Sequence, residues 1–137
     1  MNTLEKLKLT NPLVHCITNY VSMDIAANTL LAVGASPAMI HTPEESGDFS
    51  PLAGALTINI GTISPNWLEG MEKAIAAAND AKVPWVLDPV AHFVTPYRKS
   101  SVIKLMSLNP SVVRGNASEI LALQGEETKA KGVDSLE

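Results

Sequence analysis

The chain has 137 residues, of which 46% are apolar and 18% charged, with a net charge of −4 at pH 7. That length and apolar content suit one globular domain with a real core, and they exclude a disordered chain. The acidic balance leaves no basic stripe and aromatics are only 4%, which argues against nucleic acid both as a charged and as a stacking partner.

The first nine residues contain no apolar run, so neither a signal peptide nor a membrane span is expected there. They read as a short amphipathic helix capped by Thr3. Glu5 and the lack of arginine argue against an organellar address. Residues 13–18 read as a buried strand. Cys16 is the single cysteine, which rules out an internal disulfide and suits a reducing, cytoplasmic compartment. In that strand it reads as a small buried hydrophobe. Residues 22–33 read as a helix rich in Ala and Leu, with Gly34 just past its end. Residues 37–41 form a second strand, and 42–52 a polar connection with room for a short helical turn.

A third strand over 56–60 ends in Gly61-Thr62. Ser64 as N-cap and Pro65 at the first helical position then open a long helix. Trp67, Met71, Ile75 and Ala78 share one face of it. Residues 84–88 are a fourth strand, which Pro89 ends. A helix over 96–106, a fifth strand over 111–114 and a helix over 116–124 follow. Asn116 and Glu119 have the spacing of a capping box. The polar tail from Gly125 to Glu137 offers neither a strand nor a partner helix. It predicts an exposed sheet edge, in a chain cut mid-fold or one needing a partner. Strands separated by helices of this length predict a parallel sheet covered on both faces.

Open α/β sheets place their chemistry beyond the carboxyl ends of their strands. Asp88, Arg114 and Glu119 fall at two such exits. Each has a plain alternative: a turn residue, a surface ion-pair partner, a helix cap. Together they suit an anionic ligand and a divalent metal. The guanidinium fork matches phosphate oxygens, and Mg²⁺ needs only one or two carboxylates beside a nucleotide. At the first strand exit, Asn19 can cap a helix or orient a polar ligand. Met39 can fill the core or pack against a heteroaromatic ring. Gly61 and Thr62 make a tight turn, or allow close approach and a hydrogen bond to a ligand. His15 and His41 read as structural, and no spacing makes a zinc site. There is no glycine-rich phosphate loop of the Walker or dinucleotide type. The residues by themselves reach a parallel α/β domain with a site for an anion and a metal, and no further.

Five segments occur in order: Val14-His15-Cys16-Ile17-Thr18-Asn19-Tyr20-Val21, Gly34-Ala35-Ser36-Pro37-Ala38-Met39, Asn59-Ile60-Gly61-Thr62, Trp85-Val86-Leu87-Asp88-Pro89-Val90 and Arg114-Gly115-Asn116-Ala117-Ser118-Glu119-Ile120. Together they resemble the hydroxyethylthiazole kinases of thiamine biosynthesis and salvage, within the ribokinase-like fold. The resemblance implies a three-layer α/β/α architecture with a mostly parallel sheet. Residues 1–137 would form one domain, the N-terminal portion of such a protein, incomplete at its C-terminus. It implies transfer of phosphate from ATP, with Mg²⁺, to the hydroxyl of 4-methyl-5-(2-hydroxyethyl)thiazole. Met39 would line the thiazole pocket, with Asn19, Val21, Gly61 and Thr62 near it. Arg114 and Asn116 would meet ATP, and Asp88 and Glu119 would help hold the Mg²⁺ and its waters. A homotrimer with thiazole sites between subunits is implied.

Two departures stand out. Where the family has a small, glycine-rich stretch, this chain reads Ala91-His92-Phe93-Val94-Thr95-Pro96. The family also continues into a later glycine-containing stretch, which opens a helix toward the transferring phosphoryl group and carries the residue that activates the hydroxyl. No catalytic residue is therefore assigned within these 137 residues. Phosphoryl transfer depends on positioning and charge stabilisation, so poor turnover by the chain alone is expected. The alternative is a catalytically inactive, truncated form that binds ligand or a full-length subunit.

Overall fold

The computed structural model describes residues 1–134. Its strands are β1 (Leu13–Ile17), β2 (Ser36–Ala38), β3 (Ala55–Asn59), β4 (Trp85–Asp88) and β5 (Val112–Val113). The helices are α1 (Thr3–Thr10), α2 (Met23–Ala32), α3 (Pro43–Phe49), α4 (Pro65–Asp80), α5 (Pro96–Met106) and α6 (Ala117–Asp134), with a 3₁₀ turn at Ser50–Leu52.

Local chemistry sets most of the helix starts. The Ser64 hydroxyl accepts the Trp67 N–H at 3.3 Å ahead of Pro65. Thr95 accepts the Arg98 N–H at 3.2 Å ahead of Pro96. Gly34 sits at φ +96° just beyond α2, the left-handed position that glycine fills without strain. Three boundaries differ from the sequence reading. The cap of α1 is Asn2, which forms a reciprocal box with Glu5, and Thr3 is the first helical residue. The connection after β2 holds a full helix, α3, and then the 3₁₀ turn. The last helix passes through Gly125 and runs to Asp134, because the polar tail contains strong helix formers. Residues 135–137 of that tail lie outside the described residues.

All four strand pairings are parallel, in the order β2-β1-β3-β4-β5. The chain lays β2 on one side of β1 and every later strand on the other. Right-handed crossovers then send α2 to one face and α3, α4 and α5 to the opposite face. The pleat divides the side chains to match. Ile17, Leu56, Ile58, Trp85 and Leu87 join Trp67, Met71 and Ile75 of α4 and Val102 and Leu105 of α5 in the main core. On the other face Val14 and Cys16 meet Ala35, with Leu30 and Met39 packed against them. Leu123 of α6 packs on the main core, and a Lys99–Glu126 ion pair of 2.8 Å ties α6 to α5. The parallel α/β architecture is as expected. Full coverage of both faces is not: on the α2 side β3 and β4 open into a cleft.

His15 lies in the main layer between β1 and α3. Its Nε2 is 2.7 Å from the Ile40 carbonyl, and its ring meets Phe49 edge-on at 5.0 Å. Burial pushes its pKa below 6.5, opposed by the Ile40 hydrogen bond and the Glu45 charge. The unfolded chain therefore takes up a proton that the folded one resists. The stabilising effect of a neutral His15 is complete above pH 6.5 and is lost as pH falls below it, with a limiting slope of about 1.4 kcal/mol per pH unit. In urea titrations across this range, His15→Gln should flatten the acid limb relative to the parent. Identical limbs would refute the assignment. Gly70 of α4 passes so close to the 41–43 segment that a Cβ there would lie 2.1 Å from the His41 carbonyl oxygen. Gly70→Ala must move backbone and should cost about 1–3 kcal/mol. An unchanged urea midpoint would contradict that close approach.

Candidate functional site

The carboxyl ends of β1, β3, β4 and β5 form one edge of the sheet, and the candidate residues gather along it in two groups. The first joins β1 to β3. The Asn19 side-chain oxygen accepts the Val21 and Ser22 N–H groups at 3.0 and 2.9 Å. Its amide nitrogen donates to Asn59 Oδ1 at 2.7 Å, and that oxygen also accepts the Gly61 N–H at 2.9 Å. Thr62 Oγ1 accepts the Tyr20 N–H at 3.1 Å. Only glycine fits at position 61, because a Cβ there would meet Asn19 Nδ2 at 2.3 Å. Asn19, Gly61 and Thr62 are thus brought together, and much of their hydrogen-bonding capacity holds the two turns in register. Val21 follows, 87% exposed. Met39 is half-buried and packs on the Val14, Cys16 and Ala35 cluster instead.

The second group joins β4 to β5 and α6. Arg114 Nη2 donates to Asp88 Oδ2 at 2.7 Å, with Asp88 largely covered and Arg114 exposed. Glu119 is 8% exposed. Its Oε1 accepts the Ala91 N–H at 3.0 Å and its Oε2 accepts the Asn116 N–H at 2.9 Å. Asn116 returns the bond, accepting the Glu119 N–H at 2.9 Å. The expected capping box is present, and its carboxylate also pins the turn after β4. Gly115 leaves the room for this, since a Cβ there would meet Glu119 Oε2 at 2.9 Å. Asp88 and Asn59 are register partners across the β3–β4 pair. The row Asn19, Asn59, Asp88, Arg114 therefore runs unbroken across four strand ends.

This row borders a cleft of about 570 Å³ whose lining includes Cys16, Thr57, Asn59, Val86, Asp88 and Arg114. Burial raises the Cys16 thiol pKa, with a hydrogen bond from Thr57 pulling the other way. It stays a thiol there, which matches its reading as a small core residue. Among the described residues no group of three or more His, Cys, Asp or Glu side chains gathers as a metal cage.

Sequence reasoning missed two contributors. The Arg98 guanidinium reaches from α5 to the Ile60 carbonyl at 2.8 Å and also to the Gly61 carbonyl, holding the turn after β3. An arginine one turn into a helix reads as solvated, so no local signal marked it. Asn59 closes the Asn19 network, and its place at a strand end just ahead of Gly61 was the available signal. In the turn after β4, His92 fills the interior, with Nδ1 3.2 Å from the Pro89 carbonyl, while Phe93 faces outward at 49% exposure. Ala91 there has φ +45°, a conformation that favours glycine.

Replacing Glu119 by Gln keeps one acceptor oxygen and turns an NH₂ toward one of the two N–H donors. Glu119→Gln should lower stability without any ligand by about 1–3 kcal/mol. Asp88→Asn should cost under about 1 kcal/mol, its ion pair being partly solvated. Thermal unfolding that ranks the two the other way would contradict the structural role of Glu119.

A family model described as the hydroxyethylthiazole kinase family matches residues 4–137. The hydroxyethylthiazole kinase of Rhizobium etli (strain CIAT 652) is 59% identical over 132 residues, covering 96% of this chain and 51% of that protein. The structure of the hydroxyethylthiazole kinase protein from Pyrococcus horikoshii OT3 superposes with a TM-score of 0.88 at 43% identity, over 97% of this chain and 52% of that one. A sensor histidine kinase receiver domain from Pseudomonas aeruginosa PAO1 reaches a TM-score of 0.55 at 11% identity, over 83% of this chain and 92% of that one. That second likeness is one of fold alone. The chain spans about half the length of the curated relatives it matches.

Proposed function

We propose, given that this chain belongs to the hydroxyethylthiazole kinase family, that it carries the thiazole side and part of the nucleotide side of an ATP-dependent kinase. The acceptor would be the hydroxyl of 4-methyl-5-(2-hydroxyethyl)thiazole. The observation that carries this reading is the convergence of Asp88, Arg114 and Glu119 at the neighbouring exits of β4 and β5. The family match and the preserved strand-end row favour this reading over the alternative of a purely binding, inactive form.

On this reading the Arg114 guanidinium, paired on one side with Asp88, presents its remaining N–H groups to phosphate oxygens. Asn116, at the start of α6, sits where backbone N–H groups favour an anion. The donor set fits Mg²⁺, which keeps several waters and takes one or two carboxylates beside phosphate. Both Glu119 oxygens already accept a backbone N–H, so Glu119 would meet the ion's waters, with Asp88 beside it. When bound, the ion would neutralise charge on the phosphates. Asn19, Gly61 and Thr62 would shape the thiazole end through the rigid turns they hold. Met39 and Val21 would supply its apolar contacts.

Tyr20 and Val21, in the turn after β1, are 68% and 87% exposed. This apolar patch suits a subunit contact, and we assign it to a homotrimer interface beside the thiazole site. No described helix is long and apolar enough to cross a membrane. The single buried thiol suits a cytoplasmic setting.

Calorimetric titration with ATP·Mg²⁺ and separately with the thiazole alcohol tests the assignment. Loss of a charge-assisted contact of about 1.5–3 kcal/mol predicts that Arg114→Ala weakens ATP about 10- to 150-fold. Thiazole affinity should stay within about twofold. Equal losses for both ligands, or a loss confined to the thiazole, would overturn the nucleotide-side role of Arg114.

A further inference from the structure

Arg98 lies in the first turn of α5, yet its guanidinium is turned onto the loop after β3. Nη1 donates to the Ile60 carbonyl at 2.8 Å and Nη2 to the Gly61 carbonyl. One planar fork thus grips two consecutive carbonyls, a geometry that a lysine ammonium does not copy. Residues 60–63 form a tight turn, closed by the Ile63 N–H on the Ile60 carbonyl at 3.3 Å. Gly61 and Thr62 are its central residues. The peptide between the central residues is the one that rotates when a turn changes type. Its carbonyl is the Gly61 oxygen that Arg98 holds.

The consequence falls on the N–H of that same peptide. A trans peptide sets its C=O and N–H on opposite sides, and among the described residues no peptide bond is cis. With the Gly61 carbonyl turned to α5, the Thr62 N–H points away from α5. The groups around it are occupied. Asn59 Oδ1 accepts the Gly61 N–H at 2.9 Å, and Thr62 Oγ1 accepts the Tyr20 N–H at 3.1 Å. Among the described residues nothing accepts the Thr62 N–H itself. Thr62 is half-buried, so this donor gives up part of its hydration without gaining a protein partner. A fixed donor without an acceptor, in a turn held from both sides, suits a polar atom of a ligand.

We propose that Arg98 is a positioning residue of the thiazole side: its grip on the Ile60 and Gly61 carbonyls aims the Thr62 N–H at an acceptor atom of the thiazole alcohol. Arg98 itself touches neither substrate nor nucleotide. Both its terminal nitrogens already donate to carbonyls, whereas Arg114 pairs with Asp88 through one of them and is otherwise exposed. This role rests on the thiazole reading above, and adds to it a residue that no strand exit carries.

The test follows backbone amides by NMR in the isotope-labelled chain, titrated with 4-methyl-5-(2-hydroxyethyl)thiazole and separately with ATP·Mg²⁺. Thiazole should shift the Thr62 amide proton of the parent more than any amide outside the turns after β1 and β3. In Arg98→Met the ligand-free Gly61 and Thr62 amides should already be displaced or broadened. Loss of one neutral hydrogen bond predicts thiazole binding weaker by about 5- to 10-fold, with ATP·Mg²⁺ affinity held within about twofold. Arg98→Lys should not restore thiazole affinity. Asn2→Ala, which breaks the remote cap of α1, should lower the melting temperature and leave both affinities unchanged. If Arg98→Met proves unfolded by circular dichroism, Arg98→Lys carries the same comparison. A parent that binds thiazole with its Thr62 amide unmoved would overturn the role of Arg98 and leave the thiazole reading standing. Parent-like thiazole affinity in the Arg98 variants, or an equal loss in Asn2→Ala, would do the same. A parent that binds no thiazole would overturn both.

Discussion

The handedness of the crossover between parallel strands governs this molecule more than any single contact. The sheet order reverses once, between β2 and β3, on either side of β1. Because each crossover is right-handed, that one reversal sends α2 to one face and the following helices to the other. It opens a crevice at the strand ends where neighbouring connections diverge, the place where doubly wound sheets hold ligands. The same constraint explains the fold-level likeness to a receiver domain at 11% identity. Two unrelated sequences reach one strand order because few right-handed arrangements of five parallel strands exist. A shared crevice position follows from that geometry and says nothing of shared chemistry.

The groups along the crevice work first as structure. Glu119 joins the turn after β4 to the start of α6 through two backbone N–H groups. Asn19 and Asn59 join the turns after β1 and β3. Arg98 holds the latter turn from behind. Polar side chains fixed in this way lose little entropy when a ligand arrives, which is what a binding site gains from a rigid surround. A residue that binds ligand and one that holds the frame are therefore not exclusive alternatives here. Glu119 can cap a helix with two lone pairs and still offer others to water around an ion. Arg114 can pair with Asp88 through one nitrogen and keep its other donors turned outward.

Much of this was legible in the chain. The helix over 96–106 follows from Thr95 and Pro96, and the structure gives it the same bounds. The capping box of Asn116 and Glu119 is a spacing rule that acts within four residues, so tertiary context had little power to change it. Trp67, Met71, Ile75 and Ala78 repeat at helical spacing and are buried together. The misses have a common origin as well. Asn2 displaced Thr3 as a cap because either residue can accept the bond, and only the side-chain partnership with Glu5 separates them. The last helix ran past Gly125 because one glycine costs a helix only about 1 kcal/mol.

Sequence alone determined the alternation of strands and helices, the buried faces and the helix caps, because periodicity and capping are interactions among near neighbours. It also carried five ordered motifs sufficient to point to the family. Tertiary structure decided which strand lies beside which. It thereby decided that Asn59 stands next to Asp88, that Arg98 reaches the Ile60 and Gly61 carbonyls, and that β3 and β4 line a cleft together with α2. Those facts depend on contacts between residues tens of positions apart. Such contacts are fixed by chain path and handedness, and no local pattern of residue types encodes them.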